Sequence, residues 1–159
     1  MQPRTILLGL KTSDGETHLF GEDARAVPCF RCGLCCVNFL IKLTTRDIRL
    51  LSHGLGLSRR DFLKKYVKKT VVGPVLQQNG DSCVFLSSAE GKTCAGCDVY
   101  ESRPEVCRSW VPGLDRPECQ EGLRRLAKSR PFLLPADIYL SEDDILRLCS
   151  VLDDNSRTT

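Results

Sequence analysis

The segment Cys-Phe-Arg-Cys-Gly-Leu-Cys-Cys, residues 29–36, places four of the chain's ten cysteines in eight consecutive positions. In Cys29-x-x-Cys32-x-x-Cys35, each two-residue gap lets a short loop turn its thiolates toward one centre. Gly33 gives the backbone the freedom to make that turn. The spacing therefore predicts a metal site, and it is typical both of zinc knuckles and of the loops that hold a four-iron cluster in ferredoxins.

Composition indicates the setting in which these cysteines act. The chain has 159 residues, of which 42% are hydrophobic and 27% charged, as expected for one globular domain. No apolar run approaches the roughly 20 residues that cross a membrane, and the run near the N-terminus is too short for a secretory signal. We therefore expect a cytoplasmic protein with no membrane partner. Because cytosolic thiols stay reduced, ten cysteines indicate metal ligation or redox chemistry before structural disulfides.

Cys36 and the cysteines outside the segment have less certain roles. Adjacent side chains in an extended segment point in opposite directions, so Cys36 is expected to serve another ligand set or to be a small buried hydrophobe. Cys94-Ala-Gly-Cys97 fits a second knuckle, a redox pair or a coincidence, and the lack of a βαβ pattern argues against the redox pair. Distant thiols are needed to close a cluster's ligand shell, and five lie in or beside the predicted loops: Cys83, Cys94, Cys97, Cys107 and Cys119.

Helical periodicity bears on the last two cysteines. Cys119 is in register with Leu123 and Ala127, so both core packing and metal ligation remain open for it. Cys149 lies in register with Leu148 and Leu152 on an apolar face, which predicts a core position.

Local patterns predict an α+β fold with short hairpins, four to five short helices and a loop-rich, cysteine-lined metal site. A first hairpin is expected over residues 5–20, and a second with strands at 70–78 and 82–86 about the turn 79–81. A strand is expected over 37–43, and residues 87–113 are expected to be mostly loop. Capping residues predict helix starts at Thr44, Ser58, Asp115 and Ser141. Pro104 suits the first turn of a further helix that would carry Cys107. The expected organisation is an N-terminal hairpin and lead-in (1–28), a cysteine-cluster metal-binding core (29–119), C-terminal helices packed on the same domain (120–152) and a disordered tail (153–159).

The predicted helix that follows Ser58 is amphipathic and basic. The segment Arg-Arg-Asp-Phe-Leu-Lys-Lys-Tyr-Val-Lys-Lys, residues 59–69, carries six positive charges in eleven positions. A solvated helix face is the usual meaning of such a run. Binding to nucleic acid or another acidic partner is the alternative.

The cysteine segment, together with Cys-Val-Phe-Leu at 83–86 and Cys-Asp-Val-Tyr-Glu-Ser-Arg-Pro-Glu-Val-Cys-Arg-Ser-Trp at 97–110, resembles the CxxCxxCC (YkgJ-like) family, which is proposed to chelate zinc or iron. The similarity covers roughly residues 29–119. The family pattern falls on Cys29, Cys32, Gly33, Cys35, Cys36, Cys83, Phe85, Leu86, Cys97, Tyr100, Arg103, Pro104, Cys107 and Arg108. The resemblance implies metal binding by these cysteines, with Cys119 as a further family cysteine. Cys94 is additional to the pattern.

The favoured function is a [4Fe-4S] protein with a redox, sensing or metal-handling role and an unidentified protein or redox partner. Three thiolates in one short loop match a corner of the cluster. The resemblance adds that flagellin lysine methylases share this cysteine domain and are associated with such a cluster. One alternative is a structural zinc module that binds RNA, DNA or protein, and another is a methyltransferase-related protein.

No independent catalytic constellation is visible, because the chain lacks a glycine-rich cofactor loop and an acid-base set. Two arginines are candidates for cofactor binding. Arg103 and Arg108 would either donate hydrogen bonds to cluster sulfurs or form ion pairs with Glu101 and Glu105.

Overall fold

The computed structural model describes residues 8–12, 14–21, 24–37, 39–88, 95–128 and 130–154. In chain order, the strands are β1 Gly9–Lys11, β2 Thr17–Leu19, β3 Val67–Thr70, β4 Gly73–Leu76, β5 Gln78–Asn79, β6 Ser82–Cys83, β7 Leu86–Ser88, β8 Ala95–Cys97 and β9 Phe132–Leu133. The α-helices are α1 Thr45–Gly54, α2 Arg59–Tyr66, α3 Glu105–Arg108, α4 Pro117–Ala127, α5 Pro135–Ile138 and α6 Glu142–Asp153. This mixture of short helices and short hairpins confirms the α+β class.

The described residues contain six α-helices, more than the four to five predicted. The four-residue helix α3 follows Pro104, as predicted. The additional element is α5, which is also four residues long and begins at a proline. Proline favours the first turn of a helix, but one turn is too short to show helical periodicity in sequence. None of the helices in these ranges has the length and apolar character needed to cross a bilayer.

The chain forms two compact units. Unit 1 comprises residues 1–34 and 111–159, and unit 2 comprises residues 35–110. The division falls inside the cysteine segment, between Leu34 and Cys35. The organisation predicted from the sequence, with a metal-binding core over 29–119, remains a prediction.

Unit 1 contains a three-stranded sheet in the order β2-β1-β9. β1 is antiparallel to β2, as the first hairpin predicted, and parallel to β9; residues 5–7 of the predicted first strand lie outside the described ranges. The predicted cap at Asp115 is wrong, because α4 starts at Pro117, whose ring favours the first helical position. The core is formed by fully buried leucines, Leu10, Leu114, Leu123, Leu133, Leu148 and Leu152.

The first α-helix of unit 2, α1, begins as predicted, with a capping box between Thr44 and Asp47. α2 ends earlier than predicted, because Val67 is extended and pairs with Leu76 in the β3–β4 hairpin. A buried β-branched residue is stable in such a strand.

Two strand predictions in unit 2 need correction. A turn at 71–72 divides what was predicted as one strand, and the predicted strand over 37–43 is reduced to isolated bridges at Val37 and Lys42. The hairpin around the turn 79–81 is present as β5 and β6. The stretch 87–113, predicted to be mostly loop apart from the helix at Pro104, also includes β8, because a three-residue strand is too short to give a periodic pattern.

Candidate metal centre

Four cysteines of unit 2 share one apolar cluster. Cys83 is buried within this cluster, and the half-buried Cys36, Cys97 and Cys107 pack against it. They come from four separate segments, the 3-10 helix Leu34–Cys36, β6, β8 and α3. The fold of unit 2 therefore brings cysteines that are distant in sequence into or against one apolar cluster.

Cys35 joins this group through the 3-10 helix. Its Sγ lies 4.0 Å from the Sγ of Cys36. The extended backbone assumed for Cys36 from the sequence is wrong, because a tight helical turn holds the two side chains closer than a strand would. Whether Cys36 is a ligand remains a prediction.

The cysteines of unit 2 are close enough to influence each other's ionisation. Burial raises the pKa of Cys107 to about 12, and negative charge on Cys83, Cys97 and Cys35 adds to the increase. The charge of Arg103 acts in the opposite direction. Burial also raises the pKa of Cys83, with a contribution from Cys97. Such thiols stay protonated near neutral pH unless a cation compensates their charge.

A buried carboxylate anchors the helix that carries Cys107. Asp47 is 2% exposed, and its Oδ1 accepts a hydrogen bond from the backbone N–H of Glu105 at 2.9 Å. Its Oδ2 accepts another from the N–H of Thr44 at 2.9 Å. Burial opposes ionisation of Asp47, but these hydrogen bonds outweigh it and lower the pKa of the carboxyl group. The spacing of Thr44 and Asp47 predicts the capping box, whereas no local signal predicts the contact of Asp47 with α3.

In unit 1, Cys32 packs directly against α4. A Cβ atom on Gly122 would stand 2.5 Å from the Sγ of Cys32 and 2.7 Å from its Cβ. Only glycine leaves room for this approach, so Gly122 is a positioning residue that sequence analysis missed. The nearest sequence signal is its place three residues after Cys119, which is buried on the same helix.

Tyr139 holds the start of the cysteine segment within unit 1. Its hydroxyl donates a hydrogen bond to the carbonyl of Pro28 at 2.7 Å. Burial raises the pKa of Tyr139, and charge on Asp144, then on Cys29 and Cys119, contributes. The phenol is therefore a neutral donor close to two of the predicted ligands.

The backbone between the first cysteines turns sharply. Gly33 has a φ of 76°, which confirms the freedom predicted for it, and Arg31 has a φ of 49°. The N–H of Arg31 donates to the Sγ of Cys29 at 3.4 Å, and Cys29 itself is exposed.

The two cysteines outside the predicted ligand set have separate outcomes. Cys149 is half-buried, whereas Leu148 and Leu152 of α6 are fully buried. Cys149 therefore lies at the edge of the apolar face of α6, and not in the core as predicted. Cys94 lies outside the described residues.

Arg103 and Arg108 donate to backbone carbonyls. The Nε of Arg103 lies 2.9 Å from the carbonyl oxygen of Tyr100, and its guanidinium carbon is 3.7 Å from the centroid of the Tyr100 ring. Arg108 donates to the carbonyl of Arg103. Within the described ranges neither forms the ion pair with Glu101 or Glu105 that was one alternative. Hydrogen bonding to cluster sulfurs remains a prediction.

Among the residues that the structure describes, no group of three or more His, Cys, Asp or Glu side chains is arranged as it would be around a metal ion. The donors themselves fit a thiophilic metal. Sulfur ligands suit zinc and iron-sulfur clusters. Five of the described cysteines lie in unit 2: Cys35, Cys36, Cys83, Cys97 and Cys107.

These features define a cysteine-rich metal-binding domain. Residues 28–121 match the CxxCxxCC family, whose description is a domain proposed to chelate zinc or iron. The match spans more than half of the chain, so this protein belongs to the CxxCxxCC family, and the resemblance predicted from the sequence is confirmed. No curated protein and no solved structure matches the chain.

Proposed function

We propose that this protein is a cytoplasmic metal-binding protein that holds a [4Fe-4S] cluster and has a redox, sensing or metal-handling role. The observation that carries the proposal is the apolar cluster of unit 2, which contains Cys83 and against which Cys97 and Cys107 pack. Cys35 lies beside it, with its Sγ 4.0 Å from that of Cys36, which packs on the same cluster. Four cysteine thiolates are the usual ligand set of such a cluster. The cytoplasm is proposed because a reducing compartment keeps thiols available as ligands.

The proposed ligands are Cys35, Cys83, Cys97 and Cys107. One comes from the cysteine segment and three from later blocks of the family pattern. When bound, the cluster would supply one-electron transfer. The chain's own residues would orient the ligands and exclude water, since Cys83 is buried and two of the other ligands pack on the same apolar cluster.

A structural zinc site is the second candidate, and the shortness of the ligand-bearing elements favours it. β6, β8 and α3 are only two to four residues long. Elements of this length are not stable alone, and a four-thiolate zinc ion would fix them relative to each other.

The ligand assignment can be tested by single cysteine substitutions. Cys97→Ser and Cys107→Ser are expected to lose bound metal and much of the folding free energy, because ligation energy is also folding energy. Cys149→Ser is the matched control and should retain both. Metal content per chain and the unfolding midpoint are the measurements. Equal metal retention in all three variants would contradict the assignment.

A further inference from the structure

In unit 2, the segment 42–69 is rich in Lys and Arg, and we call the surface formed by these side chains the basic surface. This stretch has nine Lys and Arg residues against two Asp, a formal charge of +7. Both aspartates are engaged at helix starts, Asp47 with Thr44 and Asp61 with Ser58. All nine basic residues are exposed: Lys42, Arg46, Arg49, Arg59, Arg60, Lys64, Lys65, Lys68 and Lys69.

The positive charge of the basic surface is not neutralised by neighbouring carboxylates. Within the described ranges none of the nine basic residues forms an ion pair, and the ion pairs that these ranges contain lie in unit 1. An uncompensated field of this size attracts anions.

The β3–β4 hairpin adds an apolar tip to the basic surface. Its two-residue turn consists of Val71, which is fully exposed, and Val72, which is 54% exposed. Two-residue hairpin turns favour Asn, Asp and Gly, whose backbones tolerate the required dihedral angles. The two valines also lie outside the apolar cluster of unit 2. Neither turn geometry nor packing therefore accounts for valine at these positions.

Basic residues line the stem of the same hairpin. Lys68 and Lys69 lie on β3, and Thr70 separates them from the tip. Lys42 bridges Val75, which pairs with Lys68, so the three residues form one row across the hairpin. Residues in such a row project from the same face of a sheet. Lys42 and Lys68 therefore place their charges on one face of the hairpin stem.

We propose that the β3–β4 hairpin docks unit 2 on an anionic lipid membrane. The lysines would bind anionic headgroups, and the valine tip would enter the boundary between headgroups and acyl chains. A nucleic acid complements the charge but offers no apolar phase for the valines, so the membrane accounts for both features. The sequence-based expectation of no membrane partner rested on the lack of a spanning segment, which surface docking does not require.

The proposal is tested by mixing the full metal-bound chain with lipid vesicles and sedimenting the vesicles. The protein is expected to bind vesicles of phosphatidylcholine mixed with phosphatidylglycerol but not phosphatidylcholine alone, and to dissociate as salt is raised. The double variant Val71→Ser/Val72→Ser should bind about tenfold more weakly. The double variant Lys68→Ser/Lys69→Ser should lose about fivefold in vesicle affinity for each lysine removed.

The matched control is Leu140→Ser/Leu146→Ser in unit 1, which removes two exposed apolar side chains, 94% and 60% exposed, far in sequence from the hairpin. It should bind vesicles as the unaltered protein does. Unchanged vesicle binding by the valine variant would overturn the proposal. Failure of the unaltered protein to bind the anionic vesicles would also overturn it. If the protein bound a mixed-sequence RNA instead, the basic surface would be assigned to nucleic acid.

Discussion

The carboxylate of Asp47 accepts a hydrogen bond from the backbone N–H of Glu105 at 2.9 Å, across 58 residues of sequence. The same carboxylate closes the capping box with Thr44 at the start of α1. One buried side chain therefore fixes the first turns of two helices. The second of them, α3, carries Cys107, so the packing of unit 2 is coupled to a proposed ligand.

Replacing Asp47 by Ala is expected to lower the free energy of unfolding by about 2–4 kcal/mol. Loss of the helix cap accounts for about 1 kcal/mol, and the N–H of Glu105 left unsatisfied adds about 1–3 kcal/mol. Urea unfolding at neutral pH measures the change. Asp61→Ala is the control, because Asp61 is exposed and its hydrogen-bond partner within the described ranges is Ser58, at the start of its own helix. An equal effect of the two substitutions would contradict the link to α3.

The contribution of Asp47 should depend on pH in a defined direction. Its pKa is lowered from the ordinary value of 3.8 in the folded protein. The stability gained from ionised Asp47 is therefore fully present above pH 3.8 and lost as the pH falls through the folded-state pKa. The difference in unfolding free energy between the unaltered protein and Asp47→Asn, measured at each pH, should be constant near neutrality and shrink in acid. A difference that grows as the pH falls would be inconsistent with a lowered pKa.

Replacing Gly122 by Ala should destabilise unit 1. In an ordinary helix interior this change stabilises by about 1 kcal/mol, because glycine is a poor helix former. Here the new Cβ would collide with Cys32, and overpacking of this kind costs about 1–3 kcal/mol. Thermal or urea unfolding gives the sign directly. Arg125→Ala, at an exposed position of the same helix, is expected to change stability by less than about 0.5 kcal/mol. A stabilised Gly122→Ala variant would exclude the close approach of Cys32.

Arg103 should tune the proposed cluster through its charge. Its guanidinium acts on Cys107, so Arg103→Gln removes a positive charge near a proposed ligand. Removing that charge should make the reduction potential of the cluster more negative. A redox titration monitored by electron paramagnetic resonance measures the shift. Arg103→Lys retains the charge and should stay close to the unaltered protein, whereas an unchanged potential in Arg103→Gln would remove the electrostatic role.

Features that depend on a few neighbouring residues could be predicted from the sequence. The capping box of α1 joins residues three positions apart, and the positive φ of Gly33 follows from the two-residue gaps around it. Membership of the CxxCxxCC family was predictable because its motif is a set of short blocks at fixed spacing.

Features that depend on tertiary contacts could not be predicted in this way. Pairing with Leu76 ends α2 before Val67, although the helical pattern continues through that residue. Gly122 appeared to be an ordinary helix position until Cys32 was placed against it. No local sequence pattern predicts the contact between Asp47 and Glu105, because the two residues lie 58 positions apart on separate helices.

Iron, zinc and acid-labile sulfide analysis of anaerobically purified protein, with a visible absorption spectrum, tests the proposed function most directly. We expect about four iron and four sulfide per chain, with the broad visible absorption of a [4Fe-4S] cluster. Stoichiometric zinc without sulfide would contradict the cluster and support a structural zinc site instead. A folded chain that binds neither metal would contradict the assignment of its cysteines to a metal centre.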